Sequence, residues 1–497
     1  MADDDVKPIK YMLGSPRART GLGGLPAKTT VVIGIGAFIA LIAMMFNHFF
    51  FALGVAVVTA IIAALVHIQI GGRSLISNFF IWCIDLDRKM KGEDAYVSGA
   101  LSDAPGGTMR LPGTLARTRI VAGEDVRGKP FAAIVDDPLR LVTVVFRTYL
   151  SGQSAMTTEE RNDLTAAWGG WLASLSLTGD VESASVTVET RPGSGQLLRR
   201  EVSHLVDSSA PELARTIMWE ATESLTEGIP ELSAHVAVTI KVEGSALKDD
   251  SFMDSLATRL PSWYEGLAWS GAQAEPMDEV QLVACVHQMF VPEADGDLEQ
   301  LLSQGVDHGL TWEDCGPSVA KTNRTAYHHE GCVSRTWEMV QGPRAAFEDT
   351  ILRPLCAPHG RVPRKRVTLV YRPYEAGEGA HLVEAEHRDA MVAANNGRAI
   401  TKATAMLRLE LTEMSRSAQA RGAQLGRFSL FVTATTGDEE GLKRMSQDIQ
   451  QMAAAASIRL RVMSRQQDSG FAIGCGIGEL PWKKDTLPKL VNIPGLE

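Results

Sequence analysis

The side chains best suited to binding a metal or moving a proton are densest at His328-His329-Glu330 with Cys332. The residue types suit a transition metal, but the spacing does not. Adjacent residues on a strand point to opposite faces, and neither HxxxH nor HExxH occurs in the chain. A polar loop or strand edge is the reading that remains, and His359, His381 and His387 read as isolated surface residues. Asp85-Leu86-Asp87 has the DxD spacing of a metal–nucleotide-sugar site, yet it lies among aromatic residues and reads as an acidic pair at a helix end. Asp136-Asp137 precedes Pro138 as a turn, and Glu439-Glu440 suits the first turn of a helix capped by Asp438.

Two glycine-rich runs invite a phosphate. GLGGLPAKT, ending at Lys28-Thr29, has Ala27 where a phosphate loop needs glycine, and an apolar run follows it directly. Gly474-Cys475-Gly476-Ile477-Gly478 leads into Pro481-Trp482 instead of a dinucleotide-binding helix, and reads as a turn-rich loop. The basic run RVPRKR, residues 361–366, reads as a solvated edge. No GxSxG elbow occurs. No catalytic, cofactor-binding or metal-binding residue is assigned, and the expectation is a protein that is not an enzyme.

The elements that would position a site begin with an anchor. Thr29–Ile70 is 42 residues without Asp, Glu, Lys or Arg, interrupted only by Asn47-His48. A spanning helix needs about 20 apolar residues, so two runs, Val31–Phe46 and Phe49–Ile70, predict a transmembrane helical hairpin over residues 29–70. The 28 residues before it are long for the leader of a signal peptide. Lys7, Lys10, Arg17, Arg19 and Lys28 precede the hairpin; Arg73, Arg88, Lys89 and Lys91 follow it; the turn has no Lys or Arg. The positive-inside rule then places both termini in the cytoplasm, on a multi-pass protein of the inner (plasma) membrane. Six dispersed cysteines without a CxxC pair fit reduced thiols. Ser74–Lys91 reads either as an interfacial amphipathic helix carrying Trp82 at headgroup level or as a helix packed on the soluble part.

The rest of the chain has a globular composition, with 45% apolar and 22% charged residues, and the whole carries a net charge of −10. A basic footprint is missing, which argues against direct nucleic-acid binding. Residues 71–114 hold the juxtamembrane helix and a Gly/Pro-rich linker. Beyond them strand and helix patterns alternate. RLVTVVFR (140–147), residues 184–190, HVAVTIKV (235–242), residues 280–291, RVTLVY (366–371), RFSLFVTA (427–434) and IRLRVM (458–463) predict strands. Helices are predicted over 157–175, from Ser208 or Ser209 to Leu225, over 250–269, over 384–421, and from an Asp438 cap to Ala456. The rhythm predicts an α/β (α+β) protein: residues 1–28 as a cytoplasmic tail, the hairpin, then two ferredoxin-like or similar modules over 115–310 and 311–497.

The second half carries SRTWEM, TILRPL, RVPRKRVTLVYRP, RFSLFVTAT, a helix from Asp438, and LRVMSRQQDSGFAIGCGIGELP. These resemble the N-terminal, non-ATPase domain of the CagE/TrbE/VirB family of type IV secretion ATPases. Gln466, Gln467, Phe471, Gly474 and Gly478 occupy similar places. The family's Leu-Pro-Leu-Gly turn is replaced by Ile473-Gly474-Cys475-Gly476. The apolar hairpin is similar to the PrgI/TrbD-type two-helix subunit of the same systems. Together the resemblances cover about residues 1–95 and 320–497, and look like an actinobacterial conjugation-module fusion without the motor. They imply a structural component with no cofactor, embedded in the lipid bilayer and docking a separate conjugation ATPase and other inner-membrane subunits within an oligomeric complex. The EccE component of type VII secretion shares this architecture by analogy and is the alternative, beside a membrane-bound transferase with an unrecognised site.

Overall fold

The computed structural model describes residues 9, 11, 27–99, 102, 108–149, 152, 156–193, 195–207, 209–226, 230–343, 345–395 and 403–482. The chain divides into two compact units, with the boundary between Asp94 and Ala95. Much of the linker expected over 100–114 lies outside the described residues, as do residues 21–26 of the glycine-rich lead.

In the first unit α1 (Ala27–Met45) and α2 (Phe49–His67) form a hairpin. Asn47, at φ 61°, supplies the left-handed residue that ends α1. Gly36 faces Thr59 so closely that a Cβ there would collide with it. This small-residue contact lets the two apolar helices approach. By length and composition α2 can cross a bilayer, whereas the apolar run Thr29–Met45 is shorter. The expectation of two spans is met by one helix on that criterion. The second span also stops sooner than expected. Helix geometry ends at His67, and Gln69–Ile70 (β1) pairs with Arg73–Ser74 (β2) around Gly71-Gly72, both at positive φ. α3 (Leu75–Lys91) follows, capped by Ser74 and ended by Gly92.

The second unit is built on one 13-stranded sheet. In chain order its elements are β3 (Ala95–Val97), β4 (Thr118–Glu124), β5 (Pro130–Asp136), β6 (Leu141–Tyr149), α4 (Thr158–Leu175), β7 (Val181–Pro192), α5 (Gln196–Leu205), α6 (Glu212–Thr226), β8 (Pro230–Lys241), α7 (Phe252–Trp269), β9 (Gln273–Pro276), α8 (Glu279–Phe290) and α9 (Asp295–Ser303). They continue with β10 (Val319–Thr322), β11 (Tyr327–His329), β12 (Cys332–Gln341), α10 (Arg353–Cys356), β13 (Lys365–Pro373), α11 (Ala376–Ala394), α12 (Ala403–Ala420), β14 (Gly426–Thr436), α13 (Glu439–Ala455), β15 (Arg459–Val462) and α14 (Gln467–Gly474).

A βαββαβ pattern occurs twice. The first copy is β6-α4-β7-β8-α7-β9, with lateral order β9-β6-β8-β7; the second is β12-α10-β13-β14-α13-β15, with order β15-β12-β14-β13. Each has a helical hairpin inserted between its second and third strands, α5–α6 in one and α11–α12 in the other. The second strands pair antiparallel, Lys365 opposite Thr190 and Tyr371 opposite Ala184. The halves are thus related by a topological repeat about the β7–β13 seam. They share one sheet, so the boundary expected at residue 310 does not separate two bodies. On the back face, α4 and α7 cover the first copy through Trp171, Leu256, Leu260 and Leu267, and α13 covers the second through Met445, Ile449 and Met452.

Two predicted elements are corrected. Residues 280–291, read as a strand, form α8. Asp278 caps it by accepting from Gln281 N at 2.8 Å, and Leu282, Val283, Val286, Met289 and Phe290 make one buried stripe at helical spacing. The β-branched content misled, whereas cap and period were decisive. The long helix read over 384–421 is the hairpin α11–α12.

The front face is crossed by the chain itself. The glycine run read as a loop lies buried across β14, β13, β7, β8 and β6, as a strap from α14 to Leu480. A Cβ at Gly474, Gly476 or Gly478 would collide with the Thr433, Thr187 or Thr143 hydroxyl, respectively. The strap's carbonyls are met from below: Thr368 donates to Gly474 O (3.0 Å), His235 Nε2 to Cys475 O (3.0 Å) and Ser185 to Gly476 O (3.4 Å). Gly476 has φ 65°, so a side chain there is strained twice, by backbone and by contact. Gly476→Ala should lose roughly 2–4 kcal/mol of unfolding free energy. Gly360→Ala, where a Cβ meets nothing within 4 Å, should leave it unchanged. Denaturant unfolding of both variants measures the difference.

Candidate functional site

The densest charge in the second unit lies at the β7–β13 seam. The run RVPRKR is not a solvated edge. Arg361 is exposed and pairs with Asp448 (2.6 Å), but Arg364, Lys365 and Arg366 are buried as the chain enters β13. Arg364 reaches Glu189 Oε1 (3.4 Å), Gln288 O (3.3 Å) and the Asp295 carboxylate. Arg191 donates to Glu231 (3.0 Å) and to Gln288 Oε1 (3.1 Å). Burial brings the Arg364 guanidinium down to about 10, still charged near neutrality. Arg366 lies 3.8 Å from Glu189 and over the Phe471 ring, 4.6 Å from its centroid. The same elements pair every carboxylate named here with an arginine, so the cluster joins the two repeats and offers no free acid or base.

The sequence-derived metal candidates do not converge. Glu330-Gly331, both at positive φ, form the tight turn between β11 and β12. The Glu330 carboxylate turns back to accept from Ser318 Oγ (2.8 Å). His328 faces Asn323 (2.9 Å) and Glu439 (3.6 Å). His329 is not at a polar edge. It is buried, with Nδ1 2.6 Å from Phe290 O and Nε2 2.8 Å from Ser334 Oγ. The carbonyl can only accept, so Nδ1 carries the proton and Nε2 accepts from Ser334. Among the described residues no three His, Cys, Asp or Glu side chains are grouped to hold a metal. His387, expected at the surface, is buried between α11 and α12, near Thr412 Oγ1 (3.2 Å) and Glu413 Oε2 (3.3 Å). His381 is exposed and His359 half-buried.

The other expected pairs are structural. Asp85 and Asp87 bind Lys89 (3.0 Å) and Lys91 (2.7 Å) one turn on. Asp136 holds Arg117 (2.9 Å) and Leu139 N (3.1 Å) at the β5–β6 turn. Asp438 caps α13, with Glu439-Glu440 in its first turn. Gln467, one of the residues carried by the family resemblance, has a backbone role. Its Oε1 accepts from Thr336 N (2.8 Å) and its Nε2 donates to Thr336 O (3.1 Å), filling the gap in β12 between its partners β11 and β15.

What remains open is surface. On α6, Leu213 (72% exposed), Ile217 (54%) and Trp219 (43%) are uncovered; on α12, Met406, Leu407 and Met414 are. Sequence reading missed α5–α6 as an insertion, because only the repeat of strand order shows that both helical hairpins occupy the same place. These two hairpins are the candidate site, and what they can do is bind an apolar partner surface.

Residues 18–77 match a family described only as a domain of unknown function, DUF8461. The match takes in α1, α2, the β1–β2 turn and the first residues of α3, and leaves the sheet outside it. No curated protein matches the chain.

Burial lowers the His329 pKa from 6.5 to about 4, and lowers that of His235 as well. The folded state therefore refuses a proton that the unfolded chain takes up below pH 6.5. Stability is full above that value and falls as pH drops towards 4, by up to roughly 3 kcal/mol for His329. His329→Asn should be less stable at neutral pH and show a shallower loss across this window in urea titrations.

Proposed function

We propose that this chain is a non-catalytic, multi-pass inner-membrane component of a conjugative, type IV secretion apparatus. The hairpin of residues 29–70 anchors it, and the cytoplasmic modules dock a separate ATPase. Each module is a ferredoxin-like unit with a helical insertion. The observation that carries this reading is the pairing, in one chain, of an uncovered apolar helical hairpin with a folded platform whose two insertions expose apolar side chains. Phe38, Leu41 and Phe50 are 65%, 66% and 86% exposed, as befits side chains that face lipid. The resemblance of residues 320–497 to the secretion ATPase N-domain supports the choice of apparatus, and the acidic balance supports protein docking over DNA contact.

Membranes of expressing cells should retain the protein through alkaline carbonate extraction; release into the soluble fraction overturns the anchor. The purified protein should turn over no ATP, and hydrolysis abolished by changing Lys28 would sink the non-catalytic reading. Co-purification of the ATPase should fall at least tenfold for Ile217→Asp/Trp219→Asp or for Leu407→Asp/Met414→Asp. Undiminished capture by both variants, each still folded by circular dichroism, removes the insertions from the docking surface. Capture of type VII subunits instead of a conjugation ATPase would favour the EccE-like alternative.

A further inference from the structure

α3 carries an apolar stripe that no described residue of its own unit covers. Phe79 is 57% exposed, Trp82 44%, Leu86 44% and Met90 74%. At about 3.6 residues per turn these four fall on one face, extending roughly 16 Å along the helix. Phe79 and Trp82 touch, ring centroids 5.9 Å apart. Lys89 borders the stripe, and Lys91 lies farther round the helix on the other side. Lys89 is tethered by Asp85 one turn earlier, so its stem runs beside the apolar face and its ammonium stays at the rim, while Asp87 holds Lys91. Ile81 is turned away and buried.

The chain entering α3 fixes where the stripe begins. α2 ends at His67, the Gly71-Gly72 turn reverses the chain within a few residues, and Leu75 N donates to Ile68 O (3.1 Å). The first turn of α3 is thus tied to the end of the apolar helix. If α2 crosses the bilayer, this tie holds α3 at the level where hydrocarbon gives way to headgroups. An aromatic stripe with one lysine at its edge and a second farther round suits that level, because rings occupy the boundary and ammonium groups reach the phosphates.

We propose that α3 lies in the membrane interface, with Phe79, Trp82, Leu86 and Met90 in the acyl boundary and Lys89 and Lys91 among lipid phosphates. The proposal rests on the anchoring role of residues 29–70. It makes the anchor a three-helix device that fixes rotation about the membrane normal as well as insertion, since a helix lying flat cannot spin freely about α2.

The full chain reconstituted into phosphatidylcholine–phosphatidylglycerol vesicles tests it. Trp82 is the only tryptophan before Trp168, so the emission lost in Trp82→Phe isolates it. With lipids brominated high on the acyl chain, that difference emission should be quenched several-fold relative to plain lipid, and aqueous iodide should quench it little. Leu86→Asp should weaken the bromolipid quenching. A chain that floats with the vesicles but shows equal Trp82 emission in brominated and plain lipid overturns the interfacial helix and leaves the anchor standing. A chain that fails to float overturns both.

Discussion

The contact on which the sheet unit depends is the approach of a bare backbone to a bed of hydroxyls. Across the front of the sheet, threonines and a histidine stand where a sandwich would place large apolar side chains. Thr336 meets Thr433 (2.9 Å), Thr187 meets Thr368 (3.1 Å) and Thr143 meets Thr239 (2.9 Å). Hydroxyls in a dry interior need partners. Each found here has one, from its neighbour strand or from the strap above. Because Thr368 donates to Gly474 O, the Thr187 hydroxyl must be the donor to Thr368. Glycine is required where the strap runs closest, since any Cβ would displace this layer. The strap touches strands of both repeats, so the last part of the chain closes the seam that β7 and β13 open.

The charges at the same seam have a complementary consequence. Arg366 is buried under Phe471, and its N–H groups find no acceptor within hydrogen-bonding geometry among the described residues, so the nearby Glu189 and the ring face hold it. Such a group is expensive to bury and is weak evidence for stability. It does discriminate register. A one-residue slip of β13 against β7 would send Arg366 and Thr368 to the back face, among Leu430, Val432 and the Met445, Ile449 and Met452 side chains of α13, away from Glu189 and the front-face hydroxyls. The polar layer makes two similar modules join in one register.

Much of the architecture was legible wherever local rules agree with tertiary ones. The helical spacing over 157–175, the Asp438 cap and the β-branched runs at 140–147, 366–371 and 427–434 all form the elements that their residues dictate. Legibility failed where burial, not local preference, decides. Residues 280–291 look like a strand by composition, and it is the Asp278 cap together with an apolar stripe buried against the front face that makes them α8. RVPRKR looks solvated because three adjacent cations seldom enter a core; Glu189 and Asp295, distant in sequence, are what admit Arg364. The glycine run resembles a loop because glycine marks both free turns and close approach, and sequence alone does not show a threonine bed beneath it. The rhythm of strands and helices shows two similar modules but not their fusion into one sheet, because the β7–β13 pairing joins residues distant in sequence.

The antiparallel pairing of β7 and β13 also shapes how the platform can meet partners. The first repeat's insertion leaves at Pro192, beside the start of β13; the second leaves at Pro373, beyond the opposite end. A nine-residue strand is about 30 Å long, so the two insertions leave the sheet about that far apart. In the proposed docking role, insertions that leave from opposite ends of the seam would suit a platform that bridges two partners. The repeat about the seam gives the two insertions a similar form, while their different residues, Trp219 with Ile217 on one side and Leu407 with Met414 on the other, would give such contacts distinct specificity.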